Sequence, residues 1–497
     1  MRSVMLFCLF LYLVAVTQAT NATNTTTNDS FKAPSFTTRT LWTIIFSSIL
    51  TLFACIYSAI HPNIPSPKHR GYPSILWRQL GMMIMALIAP ELIVAWAMRQ
   101  YLSADQVTRQ FKDSGYPDVR PESEVKESAP GTENRFLSNV LLAFIRLFFL
   151  LAKGVLFVLV SLCHVLCAPA RWVARWIKPG KSESDLEDYT WTQTHSFFVL
   201  MGGFMLYKDR KPHRTLEPKH ILILIRQRCI DVPTLTADRI DDKSKGNAIS
   251  KAVVVLQVAW FVMQLITRAI YHLEITQLEV GALAFAVLNF LTYAAWWYKP
   301  LDVQCPHPVR LKSTNSKSTS TNSNPTTAPE CYIGDIEKDK THQFKILAPV
   351  LRPILELMGF PGIPTSRELQ VPTFDGSIKL GNVDRIVLVL AGLLMATIFG
   401  GIHGMAWFFA FPTYQERVLW RMSVVAITGT PWFALLTAPL LAALDTPLLI
   451  FIVLYALCIM LYITARAVLL VLMFTTLHDL PPDAYRAVLW ISLVPHL

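Results

Sequence analysis

MALIAPELIVAW, residues 85–96, is the stretch on which the reading of this chain turns. One acid, Glu91, and one helix breaker, Pro90, interrupt a run that is otherwise soluble in hydrocarbon. A charge at the centre of a bilayer costs at least about 2.5 kcal/mol, so it normally faces a partner or water. Pro90 removes a backbone donor and frees a carbonyl one turn earlier, near Ala86. A membrane helix tolerates such a kink where neighbouring helices or water satisfy the freed group. A kink and a carboxylate at one depth therefore mark either a structural pin or a polar path.

Composition sets the context. The chain has 497 residues, 53% of them hydrophobic and 16% charged, with mean hydropathy +0.40. A soluble domain carries about 25% charged residues. The deficit is concentrated in long runs. This predicts an all-α, polytopic transmembrane helix bundle of seven or eight spans with a small cytosolic region. A net charge of +11 would suggest nucleic acid in a soluble protein. No basic segment is interleaved with aromatics as a nucleic-acid module requires, so nucleic acid is not an expected partner. The charge reads as Lys and Arg held on the cytoplasmic side, with the lipid bilayer, anionic lipids included, as partner.

At the N-terminus, Arg2, an apolar core Val4–Val16 and Thr17-Gln18-Ala19 have the form of a signal peptide over 1–19. NATNTTTNDS follows, with acceptor sequons at Asn21, Asn24 and Asn28. Residues 20–40 are then a glycosylated luminal or extracellular segment. The expected location is an integral membrane of the secretory pathway, plasma membrane or endomembrane. The eight cysteines show no C-x-x-C and no regular spacing, so buried thiols acting as small hydrophobes are expected.

Residues 41–99 hold two expected spans, Leu41–Ile60 and Leu80–Met98. The loop between them carries Lys68 and Arg70 and reads as cytoplasmic. Residues 100–252 form a polar region with a membrane segment near 136–168. That segment carries Arg146, Lys153 and His164 on one helical face, and two readings stand. It crosses, which would leave about fifteen Lys and Arg of Arg171–Lys251 inside. Or it lies in the interface with its basic face toward headgroups. HSFFVLMGGFMLY, residues 195–207, is too short to span and either dips into the membrane or packs under it. Residues 253–298 read as a helix hairpin with a luminal turn and an interfacial belt of Trp296, Trp297 and Tyr298. Residues 299–385 read as a cytosolic loop with a disordered Ser/Thr/Asn-rich linker over 312–329. Three more spans fill 386–476, and 477–497 is a short amphipathic tail. Eight spans make both ends luminal; seven make the tail cytoplasmic.

No Walker motif, G-x-G-x-x-G, H-E-x-x-H or G-x-S-x-G occurs. CHVLC (163–167) stands alone on an apolar run and makes a poor metal site. No catalytic residue, metal site or cofactor is expected. The chemistry-bearing candidates are the intramembrane polar positions Glu91, Pro90, Arg146, Arg268, His403 and Arg466. Arg466 is the first expected partner of Glu91, with Arg146 or Arg268 after it.

RTLWTIIFSSILTLFACIYSAIHPNIP, IAPELIVAWAMRQ, WTQTHSFFVLMGGF, DKSKGNAISKAVVVLQVAWFVMQ, HLEITQLEVGALAFAVLNFLTYAAWWYKPLDVQCP and LPPDAYRAVLW carry a resemblance. The chain resembles a family of uncharacterised multi-pass membrane proteins of filamentous and mushroom-forming fungi. The resemblance implies a fungal origin, a shared membrane fold and a family role for Pro90-Glu91. It implies no activity, and against its pattern Phe136–Lys181 reads as an addition. The leading functional expectation is an ion or small-solute channel or transporter, built on Glu91, Pro90, His403 and Arg466. The alternative is a membrane sensor or receptor-like protein signalling through its basic cytosolic region. No nucleophile–base arrangement is visible, so an enzyme ranks last.

Overall fold

The computed structural model describes residues 36–66, 72–117, 135–166, 190–208, 211–244, 248–312, 369–444 and 446–488. The signal segment, Asn21, Asn24, Asn28, the linker beyond Lys312 and the end of the tail lie outside these residues. The described chain is mostly helical, with a few short strands in two small sheets. The all-α expectation is corrected to that extent.

Long apolar runs become long helices: α1 (Leu41–Ala59), α2 (Tyr72–Ile88), α3 (Pro90–Asp113), α4 (Arg135–Leu166), α5 (Gln193–Leu200), α6 (Pro218–Arg226), α7 (Ala237–Lys243), α8 (Ala248–Ile270), α9 (Gln277–Ala295), α10 (Asn382–Gly404), α11 (Tyr414–Ala443) and α12 (Leu448–Thr475). The strands are β1 (Phe36–Thr38), β2 (Phe204–Lys208), β3 (Lys211–Thr215), β4 (His307–Arg310) and β5 (Arg486–Val488). Among the described residues, five helices are long and apolar enough to cross a membrane: α1, α9, α10, α11 and α12. The number rises to six if α2 and α3 form one broken span. The expected seven or eight spans are not reached.

The break is at the opening motif. α2 and α3 meet at 112°. Ala89 closes α2 by donating to the Met85 carbonyl, then turns out of the helix at φ −140 and ψ 71. Pro90 takes the first position of α3, where its missing N–H costs nothing, and Glu91 lies in that first turn. The positive end of the helix favours a carboxylate there. APEL is thus a helix start, not a kink within one continuous span. α11 shows the contrast. It runs through Pro431 and Pro439 unbroken. Thr428 and Thr430 hydroxyls bond back to Val424 and Ala426 just before Pro431.

The chain divides into two compact units. Unit 1 comprises Met1–Ala59, Ala248–Phe290 and Leu393–Leu497. Within it α1 packs on α8, and α11 on α12. The Gln257 amide donates to Thr51 Oγ1 at 3.3 Å, and Tyr455 to the Ala434 carbonyl at 2.6 Å. Gly400 lets α10 meet α11: a Cβ there would fall 1.9 Å from Thr428 Oγ1. β1 and β5 pair antiparallel, with Phe36 opposite Val488 and Thr38 opposite Arg486. The tail through Val488 is a 3-10 turn and a strand.

Unit 2 comprises Ile60–Asn247 and Leu291–Gly392. Its sheet has the order β3-β2-β4, with β2 antiparallel to β3 and parallel to β4. HSFFVLMGGFMLY supplies most of α5 and β2, and both lie in this core. α5 packs on α3. Phe111 stacks on Trp191 at 3.6 Å, and Thr108 shares a hydrogen bond with Ser196 at 2.7 Å. α4 also belongs to unit 2. Among its described side chains, residues 138–153, it buries Ala143 and Leu147 and exposes most of the other apolar ones. One cysteine departs from expectation: Cys229 is disulfide-bonded.

Candidate functional site

The densest polar construction is in unit 2, around a residue the sequence did not single out. Lys299 follows the aromatic end of α9 and is only 2% exposed. Its ammonium donates to the His61 carbonyl at 2.5 Å, Gln100 Oε1 at 2.8 Å and Asn63 Oδ1 at 3.3 Å. Three N–H donors thus meet three uncharged acceptors. The Trp96 and Trp296 ring centroids lie 5.1 and 4.6 Å from Nζ. Facing indoles replace part of the lost hydration of the cation. Burial holds the Lys299 pKa well below the usual lysine value, and the positive charge of Arg78 acts in the same direction.

The acceptors are themselves fixed. Gln100 Nε2 donates to the Asp375 carbonyl at 2.6 Å, and Trp296 Nε1 donates to Gln100 Oε1 at 2.9 Å. Asn63 Nδ2 donates to the carbonyls of Pro372 and Asp375 at 2.8 and 3.0 Å. Arg99 reaches the Phe374 carbonyl at 2.6 Å. Gly376 turns this loop at φ +96, and a Cβ there would stand 2.7 Å from Gln100 Nε2. The segment after α1, the segment after α9 and the segment before α10 are thereby tied to α3. Trp296, expected in an interfacial belt, is fully buried edge-on against Trp96 at 4.7 Å.

The expected positions fall in several places. Glu91 is buried in the first turn of α3, in unit 2. Arg146 pairs with Asp384 and, at 3.6 Å, with Asp105. Arg466 is in unit 1, fully buried, with its guanidinium carbon 4.7 Å from the Phe285 ring and 4.2 Å from the Phe399 ring. His403 lies beside Phe399, shares a hydrogen bond with its carbonyl through Nδ1 and leaves Nε2 without a hydrogen-bond partner among the described residues. Arg268 donates to the carbonyls of Glu274, Asp483, Ala484 and Arg486. The nearby Glu279 carboxylate holds Arg39 through both oxygens, at 2.5 and 3.3 Å, and accepts from Thr276 N at 2.8 Å. The structure thus joins Arg268 to the strand β5 segment and Arg146 to two carboxylates.

Among the described residues no group of three His, Cys, Asp or Glu side chains could hold a metal ion. The arrangement around Lys299 fixes chain segments to one another. From sequence, Trp296, Trp297 and Tyr298 read as an aromatic belt and Lys299 is passed over. Its partners come from segments far apart in the chain, so no local pattern marks them.

The model of a family of unknown function (DUF8562) matches residues 5–162 and 171–321. The match runs through 136–162, so the reading of Phe136–Lys181 as an addition is corrected to the short gap 163–170. No curated protein and no solved structure matches the chain.

Proposed function

Because the chain belongs to that family of unknown function, DUF8562, and inherits no activity from it, we propose from the geometry that it is a membrane sensor or receptor-like protein. Unit 2 is its output. The Lys299 knot carries this reading: it ties the ends of α1, α9 and α10 to α3. A shift of one such helix must either move α3 or strip a buried cation of its acceptors, and a bistable element of this kind is what coupling between sites requires. Secretory-pathway location, the signal over 1–19 and glycosylation over 20–40 belong to the same proposal and rest on the N-terminal sequence. A fungal origin rests on the resemblance alone.

The test uses the full chain. Proximity labelling from unit 2 in cells should recover cytosolic proteins with the native chain and lose them with Lys299→Met at equal expression. In proteoliposomes the same protein should pass no more Na+, K+, Cl− or H+ than empty vesicles. Transport is the second reading, favoured by Arg466 and His403 buried together in the helices of unit 1. A flux abolished by Arg466→Ala or Glu91→Gln would establish it in place of the first.

A further inference from the structure

Contacts within each unit constrain how often the chain can cross a bilayer. Tyr116 and Trp191 meet edge to face at 5.2 Å, and the Tyr116 hydroxyl donates to the Pro233 carbonyl at 2.6 Å. The chain is therefore at one spot of unit 2 at residue 116 and again at residue 191. An even number of crossings must lie between. The only long apolar run there is the one that forms α4; 118–134 and 182–189 are polar, and 167–181 carries four Lys and Arg. An even number drawn from one helix is zero.

The same rule fixes the rest. Asn63 and Gln100 share Lys299, so α2 and α3 together make no net crossing; the 112° break suits a hairpin that enters and returns. Gln100 and Lys299 are in contact, so α8 and α9 cross together or not at all; α9 is a candidate span, and the shorter apolar stretch Leu256–Ile270 of α8 is taken as its partner. β1 and β5 are paired, so the chain makes an even number of crossings between them. The six helices α1, α8, α9, α10, α11 and α12 meet all these conditions.

α4 then needs a place. Arg146 and Lys153, the face expected to meet headgroups, are engaged by the protein: Arg146 by Asp105 and Asp384, Lys153 by the Tyr101 hydroxyl at 3.3 Å. Asp384 lies in the first turn of α10, at the start of a candidate span. That ion pair sets α4 at the level where α10 enters the membrane. Its outward side chains are Leu141, Leu142, Phe144, Ile145, Phe148 and Phe149, all exposed. Arg171, Arg175, Lys178 and Lys181 follow in sequence, a charge that complements anionic headgroups.

We propose that α4 lies in the plane of the cytosolic leaflet and docks unit 2 onto the bilayer through this apolar face, in a six-crossing protein. The proposal is independent of whether the protein signals or transports. Its basic face points into the protein and its apolar face into the acyl chains, the depth typical of interfacial helices being about 5–10 Å.

Two measurements on the full chain decide it. Acceptor sequons inserted within 118–134 and within 167–189 should both stay unmodified in cells. Modification of one alone means that α4 crosses; modification of both puts unit 2 in the lumen; either overturns the proposal. Photoreactive benzoylphenylalanine at Phe144 or Phe148, in vesicles of phosphatidylcholine and phosphatidylserine, should form adducts with phospholipid. Adducts with a second copy or another protein mean that the face is covered by protein, and overturn it as well.

Discussion

Gln100 accepts from Lys299 Nζ at 2.8 Å through one end of its carboxamide and holds the Asp375 carbonyl at 2.6 Å through the other. One neutral side chain thus joins a buried cation to a loop that precedes α10. Lys299→Met should remove the charge and one donor from each of the His61 carbonyl, Asn63 Oδ1 and Gln100 Oε1, the last keeping Trp296 Nε1. Orphaned buried acceptors cost about 1–3 kcal/mol each, partly offset by apolar filling. Thermal unfolding in detergent should show unit 2 weakened by about 2–4 kcal/mol. An unchanged midpoint would mean the knot is not a stabilising element.

Gly376 sits at φ +96 under that same carboxamide. Gly376→Ala meets both a disfavoured backbone and a Cβ 2.7 Å from Gln100 Nε2 and 3.1 Å from the Leu200 carbonyl. It should destabilise by about 1–3 kcal/mol. Gly381, whose added Cβ meets nothing within 4 Å, is the matched control and should tolerate alanine. Equal midpoints for the two variants would contradict this.

In unit 1, Arg39 and Glu279 form a two-point ion pair with side chains only 11% and 3% exposed. Removing one member of a buried pair costs about 3–5 kcal/mol because the other charge is stranded. Arg39→Met and Glu279→Gln should each lower the midpoint, and the double variant should lose much less than the sum. A double-mutant cycle measures this; additivity would show that the pair is not coupled.

Burial holds His195 below its ordinary value of 6.5, against the opposing pull of the Leu235 carbonyl and Asp241. The ring shares a hydrogen bond with that carbonyl at 2.7 Å and caps Thr192 through Nδ1. Below about pH 6.5 the unfolded chain binds the proton more readily than the folded one. Stability should therefore fall as pH drops through this range and level off above it. Thermal midpoints across about pH 5 to 7.5 should slope more steeply for the native chain than for His195→Gln. Identical slopes would assign the pH dependence elsewhere.

Cys229 and Cys305 report the side of the membrane on which unit 2 lies. Cys229 is disulfide-bonded and Cys305 is free and exposed. The proposed topology puts unit 2 in the cytosol, where disulfides are labile. In sealed microsomes an impermeant maleimide should modify the exposed Cys305 directly. Protection of Cys305 until detergent is added would place the unit in the lumen and make the disulfide structural.

Much of the secondary structure is legible because hydrocarbon solubility over about 20 residues is a local property. The runs 41–60, 386–411, 419–442 and 448–476 became α1, α10, α11 and α12 with ends shifted by a few residues. The site was not legible. Arg146 reads from sequence as an intramembrane charge, yet its partners Asp105 and Asp384 are acids in two distant segments. Lys299 carries no signal in the sequence, because its acceptors come from residues 61, 63 and 100.

Pro90 divides the two kinds of information most clearly. The sequence by itself determined that a proline and an acid interrupt an apolar run, and that the ends of the chain and its basic middle differ in charge. Those are properties of composition and spacing. Only the tertiary structure decided that Pro90 starts a helix while Pro431 and Pro439 sit inside one. Continuing a helix through proline would carry the same backbone cost at all three sites. What differs is what the next turn gains: after Pro90, α3 buries Glu91, Trp96, Arg99 and Gln100 in unit 2 and engages a loop from Pro372 to Gly376. That gain depends on residues hundreds of positions away, and local sequence does not encode it.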